Sequence, residues 1–170
     1  TSLQQDGFMV GVAEAKQRYG SDRIAVVMGT STSGILETEH AYAQRDPRTD
    51  RLGDDFTARY RYTHNMFSSG HFVRACLGLH GPALVISTAC SSSAKVFATA
   101  ARYLQAGLCD AAIVGGVDSL CLTTLYGFSA LQLLSAQPCR PCDEDRDGLS
   151  LGEGAGYALL EWSGNVGRKG

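Results

Sequence analysis

Cys90 stands where an apolar run meets a string of very small residues, in Val85-Ile-Ser-Thr-Ala-Cys90-Ser-Ser-Ser-Ala-Lys95, and a thiol so placed is a candidate nucleophile. The first backbone N–H groups of a helix have no intrahelical partner and create a local positive potential. A thiolate at such a terminus is stabilised and is a better nucleophile at neutral pH than an ordinary thiol. The same groups can polarise a carbonyl, so one turn of chain can supply both the attacking sulfur and part of an oxyanion hole. Ser91, Ser92 and Ser93 suit that turn as capping residues. Position alone leaves a second reading open, in which Cys90 is a small buried hydrophobe like most free cysteines.

Other chemistry-bearing groupings are weaker. Cys139-Arg-Pro-Cys142 has the spacing of half a zinc site, with no second pair or nearby His-x-x-x-His to complete four ligands. Gly152-Glu-Gly154-Ala-Gly156 is spaced G-x-G-x-G, which is neither the dinucleotide fingerprint nor a phosphate loop, and close backbone packing explains it better.

The elements that must position Cys90 follow from pattern. Phe8 to Arg18 reads as a helix ended by Gly20-Ser21, and Ile24 to Met28 as a short buried strand running into Gly29-Thr-Ser31. The polar region from His40 to Thr63 reads as surface or interface. Ser68 to His80 is expected to be helical and closed by Gly81-Pro82, and Ala83 to Ser87 is a strand leading to Cys90. The next helix runs to about Ala106 with Gly107 as its stop, and its Ala98-Thr-Ala-Ala101 stretch predicts a helix packed closely on several sides. Asp110 to Val117 reads as another buried strand, Leu120 to Leu134 as a helix or helix-loop lining a pocket, and Tyr157 to Trp162 as a final strand. Strand, helix, strand without alternating polarity argues for an α/β layer with a parallel core.

The 170 residues, 44% hydrophobic, suffice for one domain with a real core or for part of a larger one. A net charge of −2 and a pI near 6.0 give no electrostatic reason to expect nucleic acid or an anionic membrane surface. No apolar stretch approaches the roughly 20 residues of a membrane span. The cysteines sit in a core-rich chain that needs no disulfide staples, which points to a reducing, cytoplasmic setting. The chain opens at Thr1 without a signal pattern and closes on Gly164-Asn-Val-Gly-Arg-Lys-Gly170, so both ends read as cut from something longer.

Taken together, the chain resembles the β-ketoacyl-acyl carrier protein synthases, condensing enzymes of the thiolase superfamily. Three blocks carry the resemblance: Ser87-Thr-Ala-Cys90-Ser-Ser-Ser-Ala94, Asp110-Ala-Ala-Ile-Val-Gly-Gly-Val-Asp118, and Arg140-Pro-Cys-Asp143-Glu-Asp-Arg146-Asp-Gly148 running into Gly152-Glu-Gly-Ala-Gly156. Gly29-Thr-Ser-Thr-Ser-Gly34 and Phe128-Ser-Ala-Leu131 also fit, whereas Cys142 stands where many relatives carry an aromatic residue. The resemblance implies an α/β, thiolase-like fold, layered α/β/α with a mixed, mostly parallel sheet, as part of the first half of a duplicated fold. Residues 1–163 would be a partial N-terminal synthase domain and 164–170 a trailing segment.

The resemblance also implies a reaction. Cys90 would take an acyl group from an acyl carrier protein or coenzyme A thioester, and malonyl carrier protein would then be decarboxylated to a carbanion that attacks the acyl-enzyme. No cofactor or metal is implied, because phosphopantetheine arrives on the carrier protein. Ala89, Phe128 and Leu131 would border the acyl pocket, while Asp143, Arg146, Asp147 and Glu153 are expected to make turns and salt bridges. The family's two catalytic histidines lie in later motifs, so His40, His64, His71 and His80 are expected to be structural or surface residues. On this reading the chain alone lacks the parts needed to condense, the intact enzyme is a homodimer, and the isolated piece associates. The alternatives are a non-catalytic partner subunit of the chain-length-factor type and a thiolase-type coenzyme A acyltransferase.

Overall fold

The computed structural model describes Leu3 and residues 7–162; the trailing segment 164–170 lies outside them. The centre of the molecule is β1 (Ile24–Gly29), every residue of which is buried. It is flanked in parallel by β2 (Ala83–Ile86) and β3 (Ala111–Asp118), and β4 (Gly154–Glu161) closes the order β2-β1-β3-β4 by pairing antiparallel with β3. Strand periodicity splits β1 between two cores. Ile24, Val26 and Met28 pack with Val12 and Ala15 of α1 (Phe8–Tyr19) and with Val73 of α4 (Ser68–Cys76) and the Leu77 that caps it. Ala25 and Val27 face the opposite way, onto Val96, Ala100 and Leu104 of α5 (Ser92–Gln105). The result is the expected α/β/α layering. Each fully buried Val or Leu in these layers contributes about 1.5–3 kcal/mol.

The helices stop where glycine permits a left-handed turn. Gly78 (φ 60°) and Gly107 (φ 68°) each follow a helix whose last carbonyls are taken up by the next two N–H groups: Gly78 and Leu79 donate to Ala75 and Arg74, and Gly107 and Leu108 donate to Leu104 and Tyr103. This shortens the helix expected over 68–80, which ends at Cys76. The helix expected over 120–134 is confined to α6 (Leu122–Ala130), because Gln132 adopts φ 56° and Leu133 turns back to donate to the Phe128 carbonyl. Between β1 and α4 lie α2 (Ile35–Ala43), α3 (Asp54–Arg59) and a single π turn, Tyr60–His64. This is the surface region expected from its polarity, with Tyr42, Tyr60 and Tyr62 all exposed.

One expectation is corrected outright. Packing of α5 on several sides is not what the structure shows: Ser92, Val96, Ala100 and Leu104 form a single buried stripe, while Phe97 on another face is 48% exposed. An i, i+4 stripe buries one side of a helix, and small residues elsewhere permit contact without creating it.

Candidate active site at the C-terminal ends of the parallel strands

The three parallel strands deliver their C-terminal ends to one edge of the sheet, where the order reverses between β2 and β3 on either side of β1. Open α/β sheets place their sites in such a crevice. Cys90 sits there, exposed, between the end of β2 and the start of α5. Ala89 before it has φ 53°, a left-handed conformation that an alanine adopts only against a steric cost. That kink turns the chain sharply from strand into helix and leaves the thiol at the turn.

The serines serve the kink rather than capping the helix, which corrects their predicted role: Ser91 is the N-cap but makes no side-chain capping bond. Ser91 Oγ instead donates to the Thr88 carbonyl at 2.9 Å. Ser92 Oγ accepts from the Thr88 N–H at 2.9 Å and donates to the Ala89 carbonyl at 2.7 Å. The Ser92 N–H adds a third bond at 3.0 Å, again to Ala89. A tight sheet contact holds the helix start in turn. A Cβ at Gly29 would lie 2.7 Å from the Ser92 carbonyl carbon, and one at Gly116 would collide with Ser93 Oγ. Glycine is needed at both places for room.

Asp118, at the end of β3, is the site residue that sequence reasoning missed. Its Oδ1 accepts from Thr30 Oγ1 (3.0 Å), the Ser31 N–H (2.6 Å), the Thr32 N–H (2.9 Å) and Thr32 Oγ1 (3.1 Å). The loop so gathered reaches the turn that carries Cys90, since Ser31 Oγ donates to the Ala89 carbonyl at 3.1 Å. Thr30, Thr32 and Ser92 are the buried polar residues among those described. The only available signal was the pair Thr30-Ser-Thr32 and Asp118, each closing an apolar strand.

Phe128 is half-buried on α6, and Leu131, just past that helix, is 67% exposed. Glu39 of α2 holds the N-terminus of α6 by accepting from the Leu122 N–H (2.9 Å), the Thr123 N–H (2.7 Å) and the Thr123 hydroxyl. These bonds, the Thr123 hydroxyl first, keep the Glu39 carboxyl below its ordinary pKa. Asp143 and Asp147 bond within their own loop, to the Asp145 N–H and the Ser135 hydroxyl, and the Arg146 guanidinium donates to the Asp143 carbonyl. Glu153 accepts from the Leu120 N–H. The histidines have structural partners: His64 meets Thr38 at 2.9 Å and stacks on Phe56, His71 packs edge-on against Phe67, His80 lies beside Ser21 and Asp22, and His40 is 4.0 Å from Glu37. A cavity of about 380 Å³ opens beside α5, with the opposed Gly116 and Gly156 in its floor and Ser93 and Phe97 in its wall.

Comparison with known proteins fits this geometry. The family model described as β-ketoacyl synthase, N-terminal domain, matches residues 4–163. The chain belongs to that family. Among β-ketoacyl synthase relatives, the chloroplastic 3-oxoacyl-[acyl-carrier-protein] synthase I of Hordeum vulgare is 30% identical over 94% of this chain and 35% of the synthase. Nodulation protein E of Rhizobium leguminosarum bv. trifolii is 39% identical over 55% of this chain and 23% of its own. Among solved structures, the Xenorhabdus doucetiae ketosynthase ApeO in complex with its chain length factor ApeC superposes with a TM-score of 0.74 at 37% identity, covering 94% of this chain and 39% of that one. The thiolase-like α/β architecture is therefore that of the ketosynthases. The chain spans about a third of the Hordeum vulgare synthase. Among the described residues no helix is long and apolar enough to cross a membrane.

Proposed function

We propose that the chain supplies the acylation half of a β-ketoacyl-acyl carrier protein synthase. The observation that carries this reading is the strained Ala89 turn that sets the exposed Cys90 at the start of α5 and at the C-terminal edge of the sheet. The Cys90 thiolate attacks the carbonyl of an acyl thioester, and the carrier's thiolate leaves and takes up a proton. Malonyl carrier protein then loses carbon dioxide, its carbanion attacks the acyl-enzyme carbonyl, and the Cys90 thiolate leaves as the β-ketoacyl product forms. Dividing the condensation into two steps suits a thioester, which remains electrophilic enough for carbon attack. The chemistry uses no resident cofactor, because the phosphopantetheine arm of the acyl carrier protein brings both substrates. Phe128, Ala89 and Leu131 border the acyl chain in this reading, and the enzyme works as a cytoplasmic homodimer. Retention of Cys90 favours an acylating synthase over a partner subunit of the chain-length-factor type, and the Arg140–Gly156 block favours carrier over coenzyme A substrates.

Intact-mass spectrometry after exposure to an acyl thioester tests this, wild type beside Cys90→Ala. Cys76, Cys139 and Cys142 are also exposed and serve as internal controls. A single adduct that vanishes in Cys90→Ala is the expected outcome. Label spread over the exposed thiols, or a single adduct that survives the substitution, refutes it.

A further inference from the structure

We propose that Asp118 is a positioning residue for the Cys90 thiol, acting through Ser31. The inference rests on Cys90 being the nucleophile, but its evidence is separate. Four donors from Thr30, Ser31 and Thr32 converge on one carboxylate oxygen, so the loop leaving β1 is tied to the end of β3. The tie is reinforced by neighbours: the Ser119 N–H donates to Thr32 Oγ1 at 2.9 Å, the Ser119 hydroxyl to the Ser33 carbonyl at 2.8 Å, and the Ser33 N–H to Thr30 Oγ1 at 2.8 Å. Ser33 itself is left-handed, with φ 44°, so the loop has little freedom to re-form another way. Out of this fixed loop a single side chain reaches the nucleophile turn, the Ser31 hydroxyl on the Ala89 carbonyl.

That carbonyl also receives Ser92 Oγ and the Ser92 N–H, both of which belong to α5. The helix supplies two anchors and the β1 loop a third. A strained residue persists only where its surroundings over-determine it. Removing the Ser31 anchor leaves Ala89 tied to α5 alone, free to relax toward φ < 0 and swing the thiol. Asp118 touches no reacting atom. Its role is to hold Ser31 in place, as a charge-assisted set of bonds can.

The test measures acyl transfer to Cys90 by mass in the full-length protein for Ser31→Ala, Asp118→Ala, Asp118→Asn and Ser31→Ala/Asp118→Ala, with melting temperatures alongside. Ser31→Ala and Asp118→Ala are expected to slow transfer by roughly tenfold to a hundredfold, the size of a sub-ångström misplacement of a reacting group. The loss falls on the rate at saturating thioester rather than on KM. Asp118→Asn, which keeps an acceptor oxygen, restores most of the rate. The double variant is no slower than Asp118→Ala, because both substitutions break one chain of contacts. A wild-type rate in Ser31→Ala, or multiplying losses in the double variant, overturns the proposal, and Ser31→Ala decides alone if Asp118→Ala does not fold. Label on a residue other than Cys90 would instead remove the nucleophile reading on which it rests.

Discussion

Replacing Gly29 by alanine is the sharpest probe of how the sheet sets the start of α5 beside Cys90. A methyl there would lie 2.7 Å from the Ser92 carbonyl carbon, 2.8 Å from the Ser93 nitrogen and 2.9 Å from the Ser92 oxygen. Carbon contacts settle at about 3.5–4.0 Å, so one side must retreat by roughly 0.8 Å or more. β1 cannot give way, being buried along its length and bonded to a strand on each side. The start of α5 must move instead, and the opposing atoms are backbone, with no rotamer to change. Overpacking of this kind costs about 1–3 kcal/mol, against which the alanine recovers about 0.4–1 kcal/mol by restricting the unfolded chain. A net loss of up to about 2.6 kcal/mol, centred on about 1.3, lowers the melting temperature by up to about 10 °C in a domain of this size. Displacement of the turn beside Cys90 is expected to slow its acylation on the order of tenfold or more. Gly53→Ala is the control, since a Cβ there meets nothing within 4 Å and its φ of −62° suits alanine. Thermal melts and time-resolved mass spectrometry of the Cys90 adduct read both effects. A Gly29→Ala protein with the wild-type midpoint and rate would refute the close helix–sheet contact.

Two further outcomes follow from the charges. The folded-state pKa of Glu39 is lowered, so its stabilisation is present above the ordinary carboxylate value of about 4.3 and is lost as pH falls through the folded value. Below about pH 4.5 the wild type should therefore lose stability more steeply than Glu39→Gln, and the two melting curves should converge in acid; parallel curves from pH 7 to pH 3 would contradict the α6 anchor. Arg23 lies 2.7 Å from Asp110 through Nε, and its hydrogen bond holds the Asp110 carboxyl below its ordinary pKa. Both side chains face solvent, so screening limits the pair, and Asp110→Asn should lower the melting temperature by only about 1–2 °C at low salt and less at high salt.

The parts of the fold that were legible in the chain are those where one periodicity rules a segment. Ile24-Ala-Val-Val-Met28 could only be a strand covered on both faces, and Gly107 marked the end of α5 to within a residue. The strand-to-helix turn at Cys90 was legible because its neighbours are small and its flanks switch from apolar to polar. Less legible were features made by contacts distant in sequence. Asp118 and Ser31 are 87 residues apart, and nothing local in either distinguishes a hub from a surface loop. The serines after Cys90 read as helix caps by type, whereas their hydroxyls bond back to the carbonyls three residues earlier, a local alternative that residue type does not distinguish from a cap. Burial of α5 was over-read because alanine content signals tolerance of contact, not the presence of a partner.

The reversed direction of β4 carries the backbone away from the edge that holds Cys90. Gly154 pairs with Asp118 at the thiol edge, and Glu161 pairs with Ala111 at the opposite edge, seven residues later. At about 3.3 Å per residue the path carries the backbone some 20–25 Å away from Cys90. A fluorophore attached at Trp162 would thus report on folding without crowding Cys90, and a tether from that point would need to span the full depth of the sheet to bring a second group to the thiol.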